Sequence, residues 1–184
     1  MTKFAAAALA ALVVVVTGSA QDVESGPKAG DKVTALKAYG LVGAVEGKEA
    51  DFAAERKDAP TVYLFVQSEH FGRPMAQFIK VLDGKVKDAN EKAGVVAVWI
   101  GDKEAFAKNK DYLTKVQMSL KLENTAVAAV GGEKSGPDGW GINADAHLTV
   151  VVADKGKVAK TFAYVSVNST DVRQVLAAVK GEKK

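Results

Sequence analysis

The chain has 184 residues and no cysteine. Thiolate nucleophiles, Cys-x-x-Cys redox pairs and thiolate metal sites all need that side chain, so the sequence excludes each of these kinds of site. A single domain of this length buries enough apolar surface to fold without disulfides. The absence of cysteine is therefore compatible with an oxidising compartment as well as with a reducing one.

Histidine is also rare, and the net charge is small. The sequence holds two histidines, 25 basic residues and 22 acidic ones, for a formal net charge of +3. This near balance gives no electrostatic reason to expect nucleic acid as a partner. His70 and His147 are the only side chains whose ordinary pKa lies close to neutral pH, so metal binding by imidazole or proton transfer at that pH depends on them.

The first twenty residues have the pattern of a targeting segment. Lys3 supplies a positive start, residues 4–16 are an unbroken apolar run, and small residues follow up to Ala20. We expect a signal peptide over residues 1–20 with cleavage after Ala20, and hence a periplasmic or secreted protein without a stable membrane span. The apolar run is shorter than the ~20 residues of a transmembrane helix, but retention as an anchor is the alternative.

The remaining chain is expected to form one domain over residues 31–180, after a flexible lead-in at 21–30 and before a tail at 181–184. Its apolar runs and helical periodicities give the order β-α-β-α-β, then a β-hairpin, then a helix. The predicted strands are 61–67, 95–100, 125–130, 148–153 and 158–165. An early hairpin over 32–46 and a short helix over 50–56 precede them.

Three helices are predicted between and after these strands. The first begins near Pro74 and ends at a Gly94 cap, the second is capped by Asp102, and the last follows Asn168. Right-handed crossovers would make the first strands parallel and leave the hairpin as an antiparallel edge, in a sheet of four or five strands. Trp140, in a glycine-rich loop over 131–141, is expected to fold back over the sheet edge, and an exposed anchor for a partner is the alternative.

Three segments resemble known redoxin landmarks. Gly30-Asp31-Lys32-Val33 resembles the "Gly-Asp-x-(Ala/Val)-Pro" start of redoxins. Residues 62–74 resemble the strand and loop that carry "Phe-Trp-Ala-x-Trp-Cys-x-x-Cys", and residues 148–158 resemble "Pro-Thr-x-Phe-Leu-Ile-Asp-x-x-Gly-Lys-Val". The chain is thus similar to the thioredoxin-like superfamily, most of all to its exported peroxiredoxin-like and TlpA-like branch. The resemblance implies an α/β fold, a three-layer α/β/α sandwich with a mixed central sheet.

The departures from this resemblance fall on the chemistry. His70 stands at the position of the attacking cysteine and Arg73 at that of the resolving cysteine. Leu148, preceded by His147, stands where the family has a cis-proline. Because a cis bond before a non-proline residue costs about 3–4 kcal/mol, we expect a trans bond there. No catalytic residue carries over, and thiol–disulfide or cysteine-peroxidase activity is excluded.

The resemblance also implies that the loops around His70 and His147 meet at one rim of the sheet. We therefore expect a redox-inactive protein of the cell envelope that binds a protein or a small ligand at the former active-site edge. The candidate ligand-binding residues are Glu69, His70, Arg73, His147 and Leu148. No catalytic residues and no cofactor are expected.

Two alternatives stay open. His70 and His147, with Glu69 as a third ligand, match the donor set of a zinc or copper site. The chain could instead be a scaffold subunit of an oxidoreductase assembly in which a partner supplies the cysteines.

Overall fold

The computed structural model describes residues 23–132 and 134–181, so the signal peptide predicted at 1–20 lies outside the described residues. A single mixed sheet organises this part of the chain. Its strands are β1 (Lys37–Val42), β2 (Glu49–Asp51), β3 (Thr61–Gln67), β4 (Gly94–Gly101), β5 (Thr125–Gly131), β6 (Leu148–Asp154) and β7 (Lys157–Tyr164). Their order across the sheet is β2-β1-β5-β4-β3-β6-β7.

The centre of the sheet follows the predicted pattern. β3 is buried along its whole length, as its continuous run of β-branched and aromatic residues indicates. It pairs in parallel with β4 and antiparallel with β6, and β4 pairs in parallel with β5. β6 and β7 form the expected antiparallel hairpin. The parallel core and the hairpin are therefore both confirmed.

The sheet has seven strands and not the four or five that we expected. β1 pairs antiparallel with β5, and β2 pairs antiparallel with β1. The predicted early hairpin, placed at 32–46, lies later in the chain because β2 begins only at Glu49. The turn between these strands folds back against Gly40 of β1, where an added Cβ would lie 2.2 Å from the carbonyl oxygen of Val45. Only glycine permits that approach.

Four α-helices cover the two faces of the sheet, namely α1 (Phe52–Arg56), α2 (Arg73–Ala89), α3 (Lys103–Leu120) and α4 (Val172–Val179). Helices α2, α3 and α4 pack on one face, around a core that includes Phe78, Leu113 and Val175. The opposite face is covered by α1 and by irregular segments that contribute Leu36 and Trp140. These layers build an α/β fold around a mixed sheet, in agreement with the expected fold class.

The predicted helix starts are confirmed, and one predicted helix end is wrong. Pro74 lies in the first turn of α2, and the Asp102 carboxylate accepts a hydrogen bond from Ala105 N at 2.8 Å. However, α2 ends at Ala89, and Gly94 opens β4 and does not cap the helix. A Cβ at Gly94 would lie 2.9 Å from Cζ of Arg56, so this glycine leaves room for a guanidinium.

The lead-in expected to be flexible packs against the domain over residues 23–30. Ser25 Oγ lies 2.6 Å from Thr149 Oγ1. Gly26 N donates to the carbonyl of Gly141, and Gly30 N donates to that of Val158. These contacts with the two strands of the hairpin and the loop before it make the segment part of the folded unit.

Trp140 folds back onto the sheet, as predicted. Its side chain is 1% exposed, and its ring centroid lies 5.1 Å from that of Tyr63 and 4.8 Å from that of Phe65. The indole Nε1 donates to the carbonyl of Ala35 at 3.1 Å. The same packing raises the pKa of Tyr63 to about 12, because burial disfavours the phenolate. Trp140 thus anchors the long loop before β6.

A buried carboxylate joins α2 to the turn before β5. Asp83 is 4% exposed and accepts hydrogen bonds from Glu123 N at 3.1 Å, Asn124 N at 2.8 Å and Thr125 Oγ1 at 2.6 Å. Charged acceptors with several donors make strong hydrogen bonds. This contact holds the far end of α2 against the sheet.

Over residues 23–132 and 134–181, none of the helices combines the length and the apolar composition that crossing a membrane requires.

Replacement of Asp83 by asparagine should destabilise the protein by about 2–4 kcal/mol, because an amide cannot accept all three bonds. Urea unfolding followed by circular dichroism measures the change. The matched control is Asp88→Asn, which changes an exposed carboxylate on the same helix and should cost under about 0.5 kcal/mol. Equal midpoints for the two variants would contradict the anchoring role of Asp83.

Candidate functional site

Strand pairing brings the two histidine loops to one edge of the sheet. β3 ends at Gln67 and leads through a 3₁₀ turn, Ser68–His70, toward α2. Val66 pairs with Leu148 across the β3–β6 ladder, and Gln67 N donates to the carbonyl of His147 at 3.0 Å. The residues after β3 and before β6 are therefore neighbours. This meeting of the two loops is what the sequence predicted.

The two imidazoles lie face to face. The ring centroids of His70 and His147 are 3.5 Å apart, and the ring planes differ by 16°. The His70 side chain is 37% exposed and His147 is half-buried. The pair thus forms part of the surface at the rim and does not belong to either face of the core.

A carboxylate and a lysine flank this pair. Glu69 Oε1 lies 3.3 Å from His70 Nε2, and Lys134 Nζ lies 2.8 Å from both carboxylate oxygens of Glu69. The backbone at Lys134 is held in turn, because Gln67 Nε2 donates to its carbonyl at 2.7 Å. We call Gln67, Glu69, His70, Lys134 and His147 the rim cluster.

The contacts within the rim cluster shift two of its pKa values. The hydrogen bond and charge of Lys134 lower the pKa of Glu69. The pKa of His147 is lowered, first by burial and then by the neighbouring His70, against the opposing effects of the Val165 backbone and Glu69. The neutral form of His147 is therefore favoured, and a neutral imidazole can both donate and accept a hydrogen bond.

The other two candidate residues lie elsewhere. Leu148 is fully buried in the core, so its expected place on the binding surface is wrong; as the first residue of β6 it points into the α2 side of the sheet. The peptide bond before it is trans, as predicted, since no described bond is cis. Arg73 is exposed at the start of α2 and lines a separate groove with Phe71 and Tyr112.

The stacked geometry bears on the metal alternative. An imidazole binds a metal through a lone pair in its ring plane, at about 2.0–2.1 Å. In a stack the lone pairs of His70 and His147 run in nearly parallel planes and do not converge on one ion. Among the described residues no group of three or more histidine, aspartate or glutamate side chains is arranged to hold a metal ion. Metal binding would thus need one ring to rotate.

Sequence reasoning missed Gln67 and Lys134. Gln67 is 1% exposed at the end of a buried strand, and a buried amide needs a hydrogen-bond partner. A polar residue at the end of an apolar run was therefore the sequence signal that could have identified it. Lys134 lies in the long loop before β6, far from Glu69 in the sequence, and nothing in its local pattern marks it.

A cavity of about 270 Å³ adjoins the rim cluster, with Glu69, Lys134, Asp102 and Lys108 in its lining. Two lysines and two carboxylates therefore line the recess, and the imidazole pair lies next to it through the contact of His70 with Glu69. Such a surface can exchange hydrogen bonds and ion pairs with a ligand. It carries no thiolate, because the chain has none.

No family model and no curated protein match the chain. Solved structures do. A putative thiol:disulfide interchange protein DsbE from Chlorobium tepidum is 21% identical with a TM-score of 0.56, over 83% of this chain and 98% of that one. A peroxiredoxin-like protein from Aquifex aeolicus is 20% identical with a TM-score of 0.56, over 86% and 90%.

BsSco, a member of the Sco family of cytochrome c oxidase assembly proteins, is 16% identical with a TM-score of 0.56, over 87% of this chain and all of that one. At these identities the likeness bears on the fold. The chain therefore has the thioredoxin-like fold of the redoxins, in a form without redox cysteines.

Proposed function

We propose that this protein is a redox-inactive, thioredoxin-fold binding protein of the cell envelope, which holds a protein or a small ligand at the rim cluster. The observation that carries the proposal is the stacking of the only two histidines of the chain, at 3.5 Å, on a partly exposed rim. The targeting pattern of residues 1–20 supports the location.

Binding explains this arrangement better than a structural role does. The His70 and Glu69 side chains are 37% and 50% exposed, so they add little buried apolar area to the fold. The lowered pKa of His147 reflects both burial and a like neighbour, and such perturbed groups cluster at functional sites. The recess beside them offers a ligand donors and acceptors that are already oriented by Gln67 and Lys134.

Catalysis has less support than binding. The rim has no thiol nucleophile, and fold likeness to enzymes does not transfer activity. The scaffold alternative keeps this surface but assigns it to an oxidoreductase partner that supplies the cysteines. The metal alternative needs one imidazole to rotate out of the stack.

Capture from an envelope extract tests the proposal. The wild-type protein and a Lys85→Gln control, altered at an exposed residue on α2 outside the rim cluster, should retain the same protein or small molecule, identified by mass spectrometry. The His70→Asn/His147→Asn variant should lose it by at least about ten-fold, the effect of about 1.4 kcal/mol. Equal retention by all three, or by none, would contradict binding at the rim.

One outcome of that experiment and a separate measurement of metal uptake distinguish the alternatives. A thiol oxidoreductase as the retained partner would favour the scaffold role. Stoichiometric uptake of Zn²⁺ or Cu²⁺ that each single histidine variant abolishes would favour the metal site.

The charges around His147 predict opposite pKa shifts in two variants. His70→Asn removes a like charge and should raise the pKa of His147, whereas Glu69→Gln removes an opposite charge and should lower it further. NMR titration of the His147 ring protons measures both shifts. Shifts of the same sign, or no shift in either variant, would contradict the electrostatic coupling within the rim cluster.

The same lowered pKa predicts an acid-dependent loss of stability. His147 binds a proton less tightly in the folded state than in the unfolded state. The free energy of unfolding therefore decreases as pH falls below the ordinary histidine pKa of about 6.5. Between pH 7.5 and pH 5.5, urea unfolding should show a larger loss of stability for the wild type than for His147→Gln. A loss of equal size in both proteins would show that His147 does not contribute to it.

A further inference from the structure

A groove between the start of α2 and the second half of α3 has no role in the function proposed so far. Its volume is about 410 Å³, and we call it the α2–α3 groove. Its apolar lining includes Phe71, Tyr112, Val116 and Leu120. Ligand sites for small molecules are commonly apolar recesses of ~300–1,000 Å³ with a few polar groups, which this groove matches.

The charge of the groove has one sign. Arg73 and Lys115 both line it, both are exposed, and no aspartate or glutamate is among the described lining residues. Over the described chain neither cation takes part in an ion pair, whereas Lys108 and Lys134 do. The groove thus combines an apolar lining with two cations that contact no carboxylate among the described residues.

The aromatic residues of the groove are incompletely packed. Tyr112 is 53% exposed, one of two large hydrophobic side chains so exposed in the described chain. Its ring meets that of Phe71 edge-on, with centroids 6.4 Å apart. An aromatic surface open on one side favours a flat or aliphatic ligand, because rings gain from edge-on and offset contacts.

A buried donor lies under this aromatic pair. Phe71 also meets Trp99 edge-on, with centroids 5.3 Å apart, and Trp99 is 1% exposed. Its indole Nε1 has no hydrogen-bond partner among the described residues, and an unsatisfied buried N–H costs about 1–3 kcal/mol. The environment of the Trp99 indole N–H should therefore change when a ligand moves Phe71.

We propose that the α2–α3 groove binds a small amphiphilic carboxylate, with its apolar body against Phe71 and Tyr112 and its anionic group at Arg73 and Lys115. The apolar lining excludes a purely ionic ligand such as acetate as the preferred occupant, and the two cations disfavour an amine. The α2–α3 groove shares no residue with the rim cluster, so this inference goes beyond the proposed function and does not depend on it.

Three isosteric probes test the charge requirement: 4-phenylbutyrate, 4-phenylbutanol and 4-phenylbutylamine. Each is titrated into the full chain and followed by the two tryptophan indole N–H resonances in NMR, which Trp99→Phe assigns. The butyrate should bind at least about ten-fold more tightly than the amine. The Trp99 resonance should shift, whereas that of Trp140 should not, since Trp140 lies on the opposite face of the sheet and donates to Ala35.

Variants then locate the site. Arg73→Gln/Lys115→Gln should weaken the butyrate by about ten-fold and leave the alcohol unchanged, and Lys85→Gln should alter neither. His70→Asn/His147→Asn should bind the butyrate as the wild type does. Loss of ligand binding at the rim cluster can therefore be distinguished from loss of binding in the α2–α3 groove.

Equal affinities for the three probes, a shift of Trp140 in place of Trp99, or an unchanged double-glutamine variant would overturn the proposal. Binding of a peptide with a C-terminal phenylalanine, without binding of phenylbutyrate, would also overturn it and assign the groove to a protein partner.

Discussion

The antiparallel pairing of β3 with β6 is the constraint on which the site depends. β3 is buried on both faces and lies between β4 and β6, so its register is set by a ladder on each side. The pairing of Val66 with Leu148 places the end of one strand beside the start of the other. A shift by one residue would turn β6 over and move His147 away from His70. The position of the two imidazoles thus follows from the register of the buried strands β3 and β6.

The loop before β6 adds a second layer of support. Trp140 is buried against Tyr63 and Phe65, and this packing ties the loop to the face of the sheet opposite α2. Earlier in the same loop, Lys134 Nζ donates to the Glu69 carboxylate, and the Lys134 carbonyl accepts a hydrogen bond from Gln67 Nε2. The rim cluster is therefore assembled from the strand, the 3₁₀ turn and the loop together. Within the cluster the hydrogen bond from Lys134 lowers the pKa of Glu69, and burial followed by the neighbouring His70 lowers the pKa of His147.

Local sequence patterns predicted individual strands and helix starts, but they did not predict contacts between distant segments. The β-branched run of β3, the proline in the first turn of α2 and the Asp102 cap are local signals, and the structure confirms the elements they predicted. Strands β1 and β2 are short and half-exposed, and the pairing of β1 with β5 is a non-local event that no local pattern specifies. Within the site, the meeting of His70 and His147 followed from fold likeness. The ion pair of Lys134 with Glu69 depends on the path of the loop before β6, and the burial of Leu148 depends on the register of β6. Neither can be predicted from a local sequence pattern.

The stacked pair gives the most direct test of this account. NMR of the full chain at pH 7.5 should show nuclear Overhauser contacts between the ring protons of His70 and His147, with both sets moved upfield by the facing ring. At a centroid distance of 3.5 Å such contacts are strong, and the His70→Asn variant should remove the upfield shift from His147. Ring protons at the positions of an unfolded chain, with no contact between the two histidines, would contradict the rim cluster and the function assigned to it.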